Sequence, residues 1–148
     1  MQRSRTAWAI GAWLGAVCSV AGCASNAPPL AQNTTAGLNC VDDSAQCIGQ
    51  RKAALQTLVA DPSRKWVKDP VTPHAHATGV RLFAFKTKKK EMSCDELAAG
   101  KREADSAPGS LRAGNAGLSP AQVSRGVILA GEVGRELQNE YNRRCKKS

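Results

Sequence analysis

Apolar and small residues recur along the C-terminal third of the chain at alternating steps of four and three: Val123, Val127, Ala130, Gly134, Leu137 and Tyr141. That spacing marks one face of an amphipathic helix. The segment opens with Ser119, Pro120 and Gln122, which supply a capping hydroxyl, a first-turn proline and the capping-box partner. Cys145 falls one step further along the same stripe. A second helix is announced by Ser93 and Glu96 at the head of "SCDELAAGKREAD". Upstream, residues 43–59 place Cys47, Ile48, Ala54, Leu55, Leu58 and Val59 mostly on one face, with Gln50, Lys52 and Gln56 off it. Asp61-Pro62 ends that segment, and Trp66 beyond it reads as the aromatic plug of a small core.

The stretch from residue 72 to 90 carries two patterns. "GVRLFAFKT" has the composition of a strand. No other segment offers a partner strand, however, and a lone strand leaves its backbone groups unpaired. As a helix the stretch is better served: Thr72 caps, Pro73 takes the first position, and His76, Ala77, Val80, Phe83 and Ala84 share a face. Helix is therefore the expectation. Residues 24–39 hold two prolines, a glycine and no hydrophobic period, and they predict a flexible tether. Residues 40–148 are then expected to form a small all-α, disulfide-stapled bundle of about three to four helices.

Ahead of the tether the pattern changes. Arg3 and Arg5 precede "TAWAIGAWLGAVCSV", an apolar run of about 15 residues, short for a membrane span and suited to a signal peptide covering residues 1–22. The run ends in Val20-Ala21-Gly22-Cys23, which resembles the lipobox of bacterial lipoprotein precursors. The resemblance covers roughly the first 26 residues. It implies cleavage before Cys23, a diacylglyceryl group on its thiol and acylation of its new amine, which together make a stable membrane anchor. It also implies an exported protein, and the absence of an acidic residue at Ala24 and Ser25 points to the outer membrane, facing the periplasm. The alternative is an ordinary signal cut after Ala24.

Cysteine parity bears on that choice. Of the six cysteines, Cys18 leaves with the signal and Cys23 is acylated, so Cys40, Cys47, Cys94 and Cys145 remain as an even set. Four cysteines allow three pairings. An antiparallel hairpin of the last two helices would bring Cys94, at the start of one, to Cys145, at the end of the other. Cys40 and Cys47 would then clip the entry loop. No C-x-x-C is present, so thiol redox chemistry is not indicated.

Little else suggests chemistry. His74 and His76, two apart on a helix, point in divergent directions and cannot grip one metal ion, so they read as solvated side chains near a helix start. Glu132, Glu136 and Glu140 recur at four-residue spacing, with Arg135, Arg143 and Arg144 in range, as a solvated charge-balanced face. No nucleophile elbow, zinc helix, phosphate loop or dinucleotide pattern occurs, and neither enzyme nor cofactor is expected.

Charge remains. The chain has 21 basic and 12 acidic residues, and without Arg3 and Arg5 it is about +7. Lys86, Lys88, Lys89 and Lys90 lie just before Cys94, and Arg143, Arg144, Lys146 and Lys147 flank Cys145. A Cys94–Cys145 bond would gather these cations at one end, offset in part by Glu91, Asp95, Glu96 and Glu140. The expected partners of such an end are lipid headgroups, lipopolysaccharide phosphates or cell-wall carboxylates. Nucleic acid matches the charge but not the compartment. The sequence thus predicts a lipid-anchored structural or adaptor protein with a basic contact surface. A binding module for another envelope protein, using the apolar stripe of the last helix, is the rival, and exposure of Val123, Val127 and Leu137 would favour it.

Overall fold

The computed structural model describes residues 30–113 and 116–146. Among them are six α-helices, one short 3₁₀ turn and no strand: α1 Leu30–Asn39, α2 Ala45–Ala60, the 3₁₀ turn Lys65–Lys68, α3 Pro73–Thr78, α4 Val80–Lys88, α5 Cys94–Arg112 and α6 Pro120–Cys145. The expected all-α, disulfide-stapled fold is the one observed.

Two antiparallel hairpins organise it. In the larger, α5 runs against α6, with the Cys94–Cys145 bond at one end. A methyl group at Gly134 would touch the Ala104 Cβ at 3.3 Å, and Leu111 packs directly on the backbone of Gly126. Both helices start with complete capping boxes, Ser93 with Glu96 and Ser119 with Gln122, as their sequences predict. Helix α5 outruns the expected segment and continues through Pro108 to Arg112. Buried Ala107 and Leu111 hold its last turns against the core, and packing of this kind offsets the missing proline N–H.

The smaller hairpin corrects the sequence reading. Residues 30–39, expected to be tether, form α1 and pack on α2. The contact depends on Gly37, which is buried. A Cβ there would stand 2.3 Å from the Gln50 carbonyl oxygen and 2.6 Å from the Ala54 Cβ. Leu38 adds itself to the edge of the core. A single small residue at a helix crossing leaves no hydrophobic period, so the pattern could not reveal it. The loop after α1 is closed by the Cys40–Cys47 bond. Arg51 latches it further by donating to the carbonyls of Cys40 at 3.0 Å and Asp42 at 2.6 Å.

The stretch over 73–88 is helical as expected but divides in two. Thr72 caps α3 and Pro73 opens it. Gly79, at φ 68°, then ends α3 and starts α4. A side chain at that φ would be strained, and its Cβ would meet Leu129 at 2.3 Å. The break resets the helical phase. Phe85 is therefore fully buried while Phe83, assigned to the inner face by an unbroken helix, is 43% exposed.

The core fills the space between the hairpins. Trp66 is buried as predicted, with its Nε1 donating to the Leu58 carbonyl at 3.0 Å and its ring edge-on to Phe85 at 4.8 Å. Below it Arg81 and Glu103, 3% and 8% exposed, form a two-pronged pair across α4 and α5, with contacts from 2.7 to 3.1 Å. A pair this deep is costly to break from one side, about 3–5 kcal/mol, because the survivor is left charged and dry.

The hairpin staple closes a loop 51 residues long. Replacing Cys94 and Cys145 together by serine is expected to lower stability by up to about 4 kcal/mol, the chain-entropy contribution of such a loop. Urea unfolding with the Cys40–Cys47 bond intact measures it, and a loss below about 1 kcal/mol would show that the bond constrains little.

Candidate functional site

The Cys94–Cys145 bond does gather the two basic segments at one end of the molecule. Lys86 and Lys88 lie in the last turn of α4, Lys89 and Lys90 in the turn that follows, and Arg143 and Arg144 in the last turn of α6, with Lys146 just beyond. Lys147 and the expected lipidation site Cys23 fall outside the described residues.

The charges there are far from free. Glu132 and Glu136 of α6 reach across to α4. Lys86 pairs with Glu132 at 2.5 Å and Glu136 at 2.9 Å, and Lys89 pairs with Glu136. Lys88 pairs with Glu91 at 2.7 Å. Glu140, 7% exposed, takes Arg143 at 2.6 Å and Arg144 at 3.6 Å. Arg144 also donates to the carbonyls of Lys89 and Lys90, at 3.2 and 3.0 Å. It thereby ties the end of α6 to the turn that leaves α4.

Of the acids expected to offset the patch, Glu91 and Glu140 do so. Glu96 turns away to Arg64 at 2.8 Å, and Asp95 makes no ion pair among the described residues. The principal neutralising groups are instead Glu132 and Glu136. The acidic row of α6 is balanced, Glu132 and Glu136 by Lys86 of α4 and Lys89 of the turn after it and not by Arg135. Glu140 is balanced by Arg143 and Arg144 as expected, although it is buried and not solvated. Lysines three apart facing glutamates four apart are visible in the sequence. Their meeting is visible only once α4 is known to lie beside α6.

The hydrogen bonds leave their mark on proton affinity. Glu136 is held below the usual carboxylate range, first by Lys89 and then by Lys86, against the opposing effect of burial. Glu140 is lowered chiefly by Arg143, and Lys86 is raised, mainly by Glu132 and next by Glu136. Among the described cations of this end, Lys90 and Lys146 alone have no carboxylate partner. Arg143, although paired, has a side chain 61% exposed.

The apolar stripe of α6 is core. Leu137 is fully buried, and Val123 and Val127 pack against the buried cluster, which also takes Val133 from an adjacent position. The exposure of Val123, Val127 and Leu137 that would favour the rival reading is thus not observed. Among the described residues the large apolar side chains left exposed are Ile48, Phe83 and Ile128, and no helix is long and apolar enough to cross a membrane.

The histidines need correction. His76 is 2% exposed, not solvated, because the short α3 turns it inward against Arg81. Burial, helped by the Arg81 charge, pushes its pKa down to about 4. His74 is half-buried beside it in sequence. Among the described residues, the one close grouping of metal-ligand types is Cys40, Asp42 and Cys47, whose sulfurs are spent on each other. Compared with protein-family models, curated proteins and solved structures, the chain matches none.

The His76 environment predicts a pH dependence. The folded state keeps the imidazole neutral while the unfolded chain takes up a proton near pH 6.5, so stability is full above that pH. It is expected to fall as pH drops from 6.5 toward 4, and His76→Phe should flatten this limb in urea titrations at stepped pH. At lower pH, protonation of Glu136 and Glu140 removes stability with the same sign. Glu136→Gln, which leaves Lys89 without a carboxylate partner and Lys86 with Glu132 alone, is expected to cost up to about 1 kcal/mol at low ionic strength and less at high salt.

Proposed function

We propose that this protein is an exported lipoprotein, held to the bacterial outer membrane through Cys23 and facing the periplasm. Its helical domain serves there as a structural or adaptor module and not as a catalyst. The observation that carries the reading is the state of the cysteines. All four downstream of the lipobox are consumed in two disulfides, so none of them is left to pair with Cys23. A domain stapled in this way suits an oxidising compartment. The added α1 shortens the leash, which brings the domain closer to the membrane than a tether reaching residue 39 would.

The contact with anionic envelope material is made by the outward cations of the basic end: Lys90, Lys146 and the exposed head of Arg143. The paired lysines form the frame that holds them. Seven described cations stand here against four paired carboxylates, Glu91, Glu132, Glu136 and Glu140, and the unpaired Asp95 beside Cys94, so a small positive surplus remains to attract phosphate headgroups. The Cys94–Cys145 bond and the Arg144 hydrogen bonds to the carbonyls of Lys89 and Lys90 together hold those side chains at one end of the molecule.

Two measurements test the reading. Intact mass of protein taken from native membranes should match residues 23–148 plus three acyl groups, with four protons gained on reduction. An unlipidated soluble product would remove the anchor. For the surface, co-sedimentation with anionic phosphatidylglycerol vesicles should weaken about tenfold or more in the Lys90, Arg143 and Lys146 triple alanine variant. Thermal stability should stay near that of the parent. Unchanged sedimentation in a folded variant would overturn the basic-end contact.

A further inference from the structure

A groove of about 570 Å³ lies between the outer face of α5 and the segment leading from the 3₁₀ turn to α3, and none of its lining residues belongs to the basic end. Its inner wall carries the Arg81–Glu103 pair and His76, all nine-tenths buried or more. Arg81 commits Nε and Nη2 to Glu103 and Nη2 also to the Asp69 carbonyl at 3.2 Å, which leaves Nη1 in no hydrogen bond. Neither ring nitrogen of His76 has a hydrogen-bond partner among the described residues, and Nδ1 is wholly buried. The His76 Nδ1 is the one side-chain polar atom among the described residues that is both wholly buried and unpartnered, and such a group is costly in a folded protein. At the mouth, Lys68 and Arg102 are exposed and form no ion pair among the described residues.

The charge count selects the ligand. Lys68, Arg81 and Arg102 face Asp69 and Glu103, so the groove carries one surplus positive charge. A dianion would meet two carboxylates, whereas a monoanion would be matched. A planar carboxylate fits the forked geometry of arginine donors. Val71 and Ala99, both partly buried, give the walls an apolar portion that can take a short hydrocarbon body.

We propose that this groove binds a small monocarboxylate with an apolar body, its head held by Lys68 and Arg102 and within reach of the Arg81 Nη1 and the unpartnered His76. The site is independent of the basic end and of the lipid anchor. It gives the adaptor domain a small-molecule ligand, and with it a way for ligand binding to stabilise the junction of α3, α4 and α5.

The test is an NMR titration of the full chain in detergent with butyrate, read at the His76 imidazole and at the backbone amides of Arg102 and Ser106. Saturable shifts are expected with butyrate. Butylamine and inorganic sulfate, a dianion throughout the working pH range, are expected to give none. The variant Lys68→Ala with Arg102→Ala changes only exposed, unpaired side chains, so it should keep the parent melting temperature and bind about tenfold more weakly or worse. Shifts that fail to saturate, a His76 signal that does not move, equal binding of sulfate or butylamine, or an unaffected double variant would each overturn the proposal. Substituting Arg81 itself is avoided, because loss of that buried charge is expected to unfold the protein.

Discussion

The Cys94–Cys145 bond holds the start of α5 against the end of α6, and most of the molecule is arranged by that junction. It sets the antiparallel register in which Gly134 meets Ala104 and Gly126 receives Leu111. It also places the turn after α4 beside the last turn of α6, where Arg144 binds the carbonyls of Lys89 and Lys90. With few aromatic residues and a modest core, a chain of this size benefits from a covalent link that reduces the freedom of its unfolded state. The second disulfide, with Arg51, does the same locally for the α1–α2 hairpin.

Within the frame the core is organised around a charge. Arg81 is held by Glu103 from α5, by the Asp69 carbonyl from the loop and against the face of Trp66, with its guanidinium 5.8 Å from the ring centroid. One side chain thus bonds or packs against three parts of the chain. A buried ion pair is a weak source of stability but imposes a specific arrangement, since alternatives leave a charge without water or partner. The same residue lowers the proton affinity of His76 and faces the groove. Core specificity and a polar interior wall come from one interaction.

The basic end shows how tertiary contacts change the meaning of a charged sequence. Lysines at 86 and 89 and glutamates at 132 and 136 are 46 and 47 residues apart in their pairs, yet they form a clasp between neighbouring helices. Much of the local charge therefore joins the fold together, and only the outermost cations are available to a partner. Attraction to anionic material then rests on a small surplus and is sensitive to salt.

Local signals carried the helices: Ser93 and Ser119 with their capping partners, Thr72-Pro73, and the four-three spacing of α6 are all chemistry within a few residues. Helix direction suggested the Cys94–Cys145 pairing, since an antiparallel hairpin would bring those ends together, but the sequence left three pairings open and the fold decided among them. Tertiary structure alone decided the rest. Gly37 turns a patternless stretch into a packed helix because what matters there is the absence of a side chain, which hydrophobic spacing does not register. Gly79 rephases α4 through a left-handed backbone, exchanging Phe83 for Phe85 in the core. Arg81, Glu103 and His76 look like surface residues one at a time, and their burial follows from partners 22 residues away and on other helices. Short-range spacing is written in sequence, whereas which polar groups lose water depends on how the helices meet.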